Sequence, residues 1–228
     1  RDSVSRQEQD EFALQSHQRA VEATQNNYFT DEIVPIEIKQ RKSTTSQLIT
    51  KDESIRTDTS LEKLAKLHPA FKHNGTVTAG NSAPLNDGAS ALMMMTETRA
   101  EQLGLTPMAE VLGYAECGID PNVMGYAPYL AINKLVSQLK MAVNDIDLYE
   151  INEAFASQSV AVVRDLGISM DRVNISGGAI ALGHPLGDSG ARIVTTLLHN
   201  LKRTNQEYGI AALCMGGGMG SALAIKSL

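Results

Sequence analysis

Three side chains in the second half of this sequence have types suited to acyl chemistry: Cys214, His184 and Asn152. A cysteine with a tuned thiol can act as nucleophile or base. A histidine can donate a hydrogen bond to a developing oxyanion, and an asparagine can hold a water. Cys214 runs through Met215 into the glycines at 216–218. Their backbone N–H groups, Gly216 first, have no side chain in front of them. His184 stands in a glycine-rich turn, GGAIALGHPLGDSGARI at 177–193. Glycine lets backbone approach a ligand, and a helix start offers free N–H donors. Singly, each residue has a plainer reading: Cys214 as a small buried hydrophobe, His184 as a satisfied loop histidine, Asn152 as a helix cap. Their joint occurrence with glycine turns favours the chemical reading.

The hydrophobic pattern supplies elements to position them. Strands are expected over 108–114, 146–151, 172–176, 208–214 and 221–228, with helices over 127–142, 155–166 and 189–201. That order, βαβαβαββ, describes an α/β layered domain with helices covering a sheet. Ligands in such domains sit beyond the carboxyl ends of strands. Asn152, the His184 turn and Cys214 all lie at or after the end of an expected strand, so one sheet edge would gather them. Upstream, Ser5 and Glu8 form a capping box opening a helix over 3–25. A short strand follows at 33–39, then a polar loop over 39–58 with the basic cluster Lys39, Arg41 and Lys42. Thr59 and Glu62 match a second capping box, opening a short helix that Pro69 closes. The stretch GTVTAGNSAPLNDGAS at 75–90 is crowded with small residues and side-chain amides, as expected of backbone packed closely on something flat or extended. The apolar run 89–95 reads as a buried strand.

INEAFA at 151–156, GGAIALGHPLGDSGARI at 177–193, CMGGGMGSA at 214–222 and GTVTAGNSAPLNDGAS at 75–90 together resemble the signatures of the thiolase family. The resemblance covers essentially the whole chain. It implies a thiolase-like layered fold. Residues 1–85 would be the remainder of a CoA-binding loop domain, 86–106 a strand and helix returned to the N-terminal domain, and 107–228 the C-terminal domain. It implies Cys214 as the acid/base cysteine, His184 with an Asn152-held water as one oxyanion hole, and the Gly216 N–H as part of a second. Arg56, Phe71, Ala79, Ala83, Met124 and Phe155 would contact coenzyme A. The implied reaction is Claisen condensation of two acetyl-CoA to acetoacetyl-CoA and the reverse thiolysis. Coenzyme A is substrate and product; no metal and no further cofactor is implied. A thiolase acting on longer 3-ketoacyl-CoA chains, a non-catalytic remnant that binds CoA or a partner, and a thiol hydrolase built on Cys214 and His184 are the alternatives.

The family's nucleophilic cysteine lies in a motif of the N-terminal half that this sequence lacks. Cys117 follows a strand and reads as structural. The chain alone is therefore expected to be inactive and to pair with the missing half, the full-length enzyme being a dimer or tetramer. Two positions depart from the family pattern: Ala83, followed by Pro84, where serine and glycine are common, and Tyr126, where a small or aliphatic residue is usual. Net charge is −6 and aromatic residues make up 4% with no tryptophan, which argues against nucleic-acid binding and base stacking. Two cysteines outside any C-x-x-C pair fit a reducing, cytoplasmic compartment. No apolar run reaches membrane-spanning length.

Overall fold

The computed structural model describes residues 3–39 and 46–228, so Arg41 and Lys42 of the basic cluster lie outside the described residues. Helix α1, Arg6–Gln25, starts as expected. The Ser5 hydroxyl accepts from the Glu8 N–H at 3.2 Å, and the Glu8 carboxylate accepts from the Ser5 N–H at 2.6 Å. Strand β1, Ile36–Lys39, pairs antiparallel with β2, Ser46–Ile49. β2 falls within the stretch expected to be loop. Its residues are almost all solvent-facing, so no burial alternation marked it as a strand. The short helix α2, Leu61–Ala65, is capped by Ser60 rather than Thr59. Ser60 has the extended backbone a cap needs, and its hydroxyl accepts from the Lys63 N–H at 3.3 Å.

The small-residue stretch does lie along extended backbone. Ala83 donates its N–H to the Ala154 carbonyl at 3.1 Å, and Pro84 accepts from the His184 N–H at 3.0 Å. Residues 89–95 correct the expectation of a buried strand. They form no ladder, and Met93 is 83% and Met94 68% exposed. An apolar extended segment becomes a strand only when a neighbour pairs its backbone, and the described residues provide none here. Helix α3, Glu97–Leu103, follows, capped by Thr96 and stopped by Gly104.

The central sheet holds β3 (Ala109–Gly118), β4 (Leu148–Ile151), β5 (Tyr208–Met215) and β6 (Met219–Ser227), in the order β3-β6-β5-β4. β4 runs parallel to β5; the other two pairings are antiparallel. Helices α4 (Ala127–Gln138) and α5 (Ala156–Leu166) cover one face, packing Ile132, Leu135 and Val162 on Tyr149, Ile151, Ile210 and Ala212. The one-turn helix α6 (Ala179–Leu182) leads to α7 (Ser189–Thr204). α7 covers the other face, setting Ile193, Leu197 and Leu201 against Leu148, Ala211 and Ile225. The alternation of β5 between the two cores is the period-2 signature of a strand buried on both sides. On the α1 side, Phe12 and Ala13 pack on Leu64, Ala156 and Ile180.

The expected βαβαβαββ order is thus βαβαααββ. No strand forms at 172–176; a single bridge joins Val173 to Tyr149. Asn174 turns there with φ +47°, and its side-chain amide serves both main-chain groups of Ile151, at 2.8 Å each. A side chain satisfies the edge of β4 where a strand would have.

Candidate functional site

β4 ends at Ile151, and Asn152 extends the ladder by one bond, its N–H donating to the Ala212 carbonyl of β5 at 2.9 Å. The Asn152 side chain is buried and its Nδ2 lies 3.3 Å from His184 Nε2. His184 is delivered by α6 and Gly183, whose φ of +104° turns the chain back toward the sheet. The other ring nitrogen, Nδ1, lies 2.6 Å from the hydroxyl of Ser189, the fully buried first residue of α7. Two proton arrangements satisfy this group. In one, Nδ1–H donates to Ser189, whose hydroxyl donates to the Pro185 carbonyl at 2.9 Å, and Asn152 donates to Nε2. In the other, Ser189 gives up the Pro185 carbonyl to donate to Nδ1, and Nε2–H faces Asn152 Oδ1 after a turn of the amide. Asn152 Oδ1 is buried without a protein partner, so the second costs no existing bond to that oxygen. It also puts the ring hydrogen on Nε2, the nitrogen that faces Asn152. Burial, and then the nearby Arg192 charge, hold the His184 pKa below the ordinary value, so the ring is neutral near pH 7.

Cys214 lies on β5 two residues past Ala212. It is 9% exposed, and its Sγ faces Gln158 Oε1 of α5 at 3.9 Å. Burial raises the thiol pKa. The turn after it is built from glycines. Gly217 and Gly218 have φ of +91° and +85°, and the Gly218 carbonyl accepts from the Ile119 N–H at 2.8 Å. Beside Gly216, two residues past Cys214 and exposed, the space a Cβ would enter is empty. The site therefore combines a protonated thiol, a neutral imidazole on a buried amide, and bare backbone at one sheet end.

Of the residues expected to hold coenzyme A, Phe71 and Phe155 meet edge to face, with ring centroids 5.8 Å apart. Phe155 also bridges to Ser82, beside Ala83. Ala79 opens a single turn capped by Thr78. Met124 precedes Gly125, where a Cβ would come within 2.9 Å of Gln158; the Met124 turn thus abuts the residue facing Cys214. Arg56 lies elsewhere. It lines a cavity of about 190 Å³ against α1 with His17, Leu14 and Val21, and its N–H donates to His17 Nδ1 at 3.2 Å. Cys117 points its Sγ at the Ala127 carbonyl at 3.3 Å. It pairs with Gly220 in the row that also holds Cys214, so two strand spacings, roughly 10 Å, separate the cysteines. That exceeds disulfide reach. Sequence reasoning missed Ser189, Gln158 and His17. Ser189 had a signal, a small polar residue at a helix start five positions after the histidine; the other two read as ordinary helix residues. Among the described residues no group of His, Cys, Asp or Glu could hold a metal ion, and no helix is long and apolar enough to cross a membrane.

A mixed sheet between helix layers, with cysteine, histidine, asparagine and a glycine turn at one end, defines a layered α/β protein. Family models for the C-terminal and N-terminal domains of thiolase match residues 105–227 and 1–98, and the chain belongs to the thiolase family. It is 50% identical over 223 residues to an acetyl-CoA acetyltransferase of Chromobacterium violaceum and to a probable acetyl-CoA acyltransferase of Staphylococcus aureus. These alignments cover 98% of this chain and 57% and 56% of the relatives. The crystal structure of the Bacillus anthracis acetyl-CoA acetyltransferase superposes with a TM-score of 0.96 at 48% identity, covering 99% of this chain and 57% of that one. Human mitochondrial 3-ketoacyl-CoA thiolase gives 0.91 at 44% identity, covering 98% and 56%. The chain thus spans a little over half the length of the relatives it matches.

Proposed function

We propose that this chain supplies the acid/base and oxyanion-binding portion of a thiolase that condenses two acetyl-CoA molecules and cleaves acetoacetyl-CoA. The observation that carries the reading is the Asn152–His184 contact of 3.3 Å at the sheet end that also holds Cys214 and the bare backbone of Gly216. Cys214 takes the α-proton from one acetyl-CoA, or returns a proton to the enolate in thiolysis. His184 Nε2–H and a water on Asn152 hold one oxyanion, and the Gly216 N–H contributes to the other. Such donors are each worth about 3 kcal/mol. Phe71, Phe155, Ala79, Ala83 and Met124 border the pantetheine arm, and Arg56, joined by His17, takes the nucleotide end. Residues 1–85 form the loop domain's remainder, 86–106 return to an N-terminal domain, and 107–228 are the C-terminal domain.

Neither cysteine of the chain stands at a helix start: both lie in strands. The acyl-accepting nucleophile must then come from a companion N-terminal half, for which the unpaired apolar segment 89–95 is the docking edge. The test is acetoacetyl-CoA thiolysis by the enzyme containing that half, with and without Cys214→Ala. A 10²–10⁴-fold fall in kcat is expected for loss of a general acid/base; unchanged turnover would refute the assignment. The unpaired edge equally fits a second reading, a chain that binds coenzyme A without catalysis. Coenzyme A titrated calorimetrically into the 228-residue chain, together with the same thiolysis assay, separates the two.

A further inference from the structure

Glu153 is adjacent to Asn152 yet takes no part in the chemistry proposed above. Its side chain is buried, at 1% exposure. Oε2 accepts from the Ser16 hydroxyl at 2.7 Å and from the Ile180 N–H at 3.1 Å, and Oε1 accepts from Asn174 Nδ2 at 2.8 Å. Two of these donors, the Asn174 amide and the Ile180 N–H, are fixed. The Ser16 oxygen accepts from the Gly178 N–H at 3.1 Å while its hydroxyl donates to Glu153. The Asn174 amide is pinned by both main-chain groups of Ile151, and Ile180 offers a backbone N–H. Burial holds the Glu153 pKa above its ordinary value, with these bonds opposing the rise. The Asn174 amide and the Ile180 N–H present hydrogens to the group, an arrangement that favours a carboxylate against the cost of burial. A Cβ on Gly178 would overlap the carboxyl group; the carboxylate fits only because that residue is glycine. Its bonds reach α1, the Asn174 turn and the first residues of α6, and α6 runs directly into Gly183 and His184.

We infer that Glu153 is a positioning residue for the Asn152–His184 pair, its carboxylate tying the start of the helix that delivers His184 to the residue that follows Asn152. Calling this pair the oxyanion-binding group rests on the function proposed above; the tie itself does not. The experiment therefore reads geometry in the free chain, without coenzyme A or turnover.

Ring-nitrogen NMR of His184 would be recorded in ¹⁵N-histidine-labelled wild type, Glu153→Gln and Ser16→Ala. A carboxamide at 153 must aim its NH₂ at the Asn174 amide or at the Ile180 N–H, whereas Ser16→Ala removes one donor without creating a clash. With both ring nitrogens engaged, wild-type His184 should show one neutral tautomer, with well-separated Nδ1 and Nε2 resonances. Glu153→Gln should bring the two toward an average, Ser16→Ala should do so less, and His199 should not change in either. A merely structural role would lower the melting temperature and leave the His184 resonances as in wild type. That outcome in a folded Glu153→Gln chain overturns the inference. If Glu153→Gln fails to fold, unchanged resonances in Ser16→Ala overturn it, and so does a wild-type His184 that already averages.

Discussion

Glu150 precedes Asn152 by two residues, and strand alternation turns it toward α7, into the layer holding Leu148 and Ile193. Its satisfaction there is incomplete. Oε1 accepts from Asn200 at 3.3 Å, while Oε2 lies 3.8 Å from Arg192 Nη1 and has no hydrogen-bond partner. Burial pushes its pKa up to about 8, with Glu32 adding to the rise and Arg192 opposing it. Glu32, also buried beside Arg192, rises to about 7. An unfolded chain releases these protons near 4.5. Between that value and about 8 the folded state binds more protons, so stability is greatest at the acid end of the window and falls as pH rises. His17, His184 and His199 have lowered pKa values. They act in the opposite sense, losing stability as pH falls through and below about 6.5. The clean window is therefore pH 6.5–8. Over it Glu150 alone accounts for about 2 kcal/mol at full coupling, at about 1.4 kcal/mol per pH unit. That equals roughly 4–8 °C in Tm for a chain of this size. Urea unfolding at pH 6.5, 7.25 and 8 should show this decline in the wild-type chain and a clearly shallower one in Glu150→Gln. A wild-type stability that is flat or rising over the window refutes the reasoning, as does an undiminished slope in the variant.

Two further outcomes are expected. Gly178→Ala should destabilise the chain by roughly 2–4 kcal/mol, because the added methyl displaces a buried carboxylate from fixed donors; the urea midpoint reads it, and a change under 0.5 kcal/mol would contradict the packing. Met93→Glu with Met94→Glu should reduce concentration-dependent association of the isolated chain, because both side chains stand exposed on an unpaired apolar segment. Light scattering that matches wild type would exclude that surface as the sticky one.

Where the chain satisfies itself locally, its structure was legible in the sequence. The Ser5–Glu8 box opens α1, and the apolar periodicity of α4, α5 and α7 matches the faces they bury. The misses share a cause: a partner distant in sequence decides the outcome. The apolar run at 89–95 has the composition of a strand but no neighbour to make it one. Residues 172–176 yield to the Asn174 amide, which serves β4 in place of backbone. β2 pairs with β1 while exposed, without the alternation that betrays strands. The same division runs through the site. Motif spacing pointed to Asn152, His184 and Cys214, and the first two touch. It could not show that Ser189 holds the far side of the histidine, that Gln158 faces the thiol, or that Arg56 sits apart with His17.

The surroundings of Cys214 discriminate between the chemistries its neighbourhood invites. A cysteine–histidine nucleophile needs an imidazole nitrogen free to take the thiol proton and a setting that stabilises the resulting ion pair. Here both ring nitrogens of His184 are engaged, one by Asn152 and one by Ser189. Burial lowers the histidine pKa and raises that of the thiol, so thiolate and imidazolium are disfavoured together. The Gln158 carbonyl oxygen facing Sγ accepts a hydrogen bond from the thiol and offers a thiolate nothing. These features disfavour a hydrolase built on Cys214 and His184. On the proposed reading they suit a cysteine that waits as an acid. It can protonate an enolate directly, and it becomes a base only when the bound thioester and the backbone N–H groups around Gly216 stabilise the charge created at its expense. The driving force for deprotonation then comes from the oxyanion donors, which act once substrate is in place, against the burial that raises the thiol pKa.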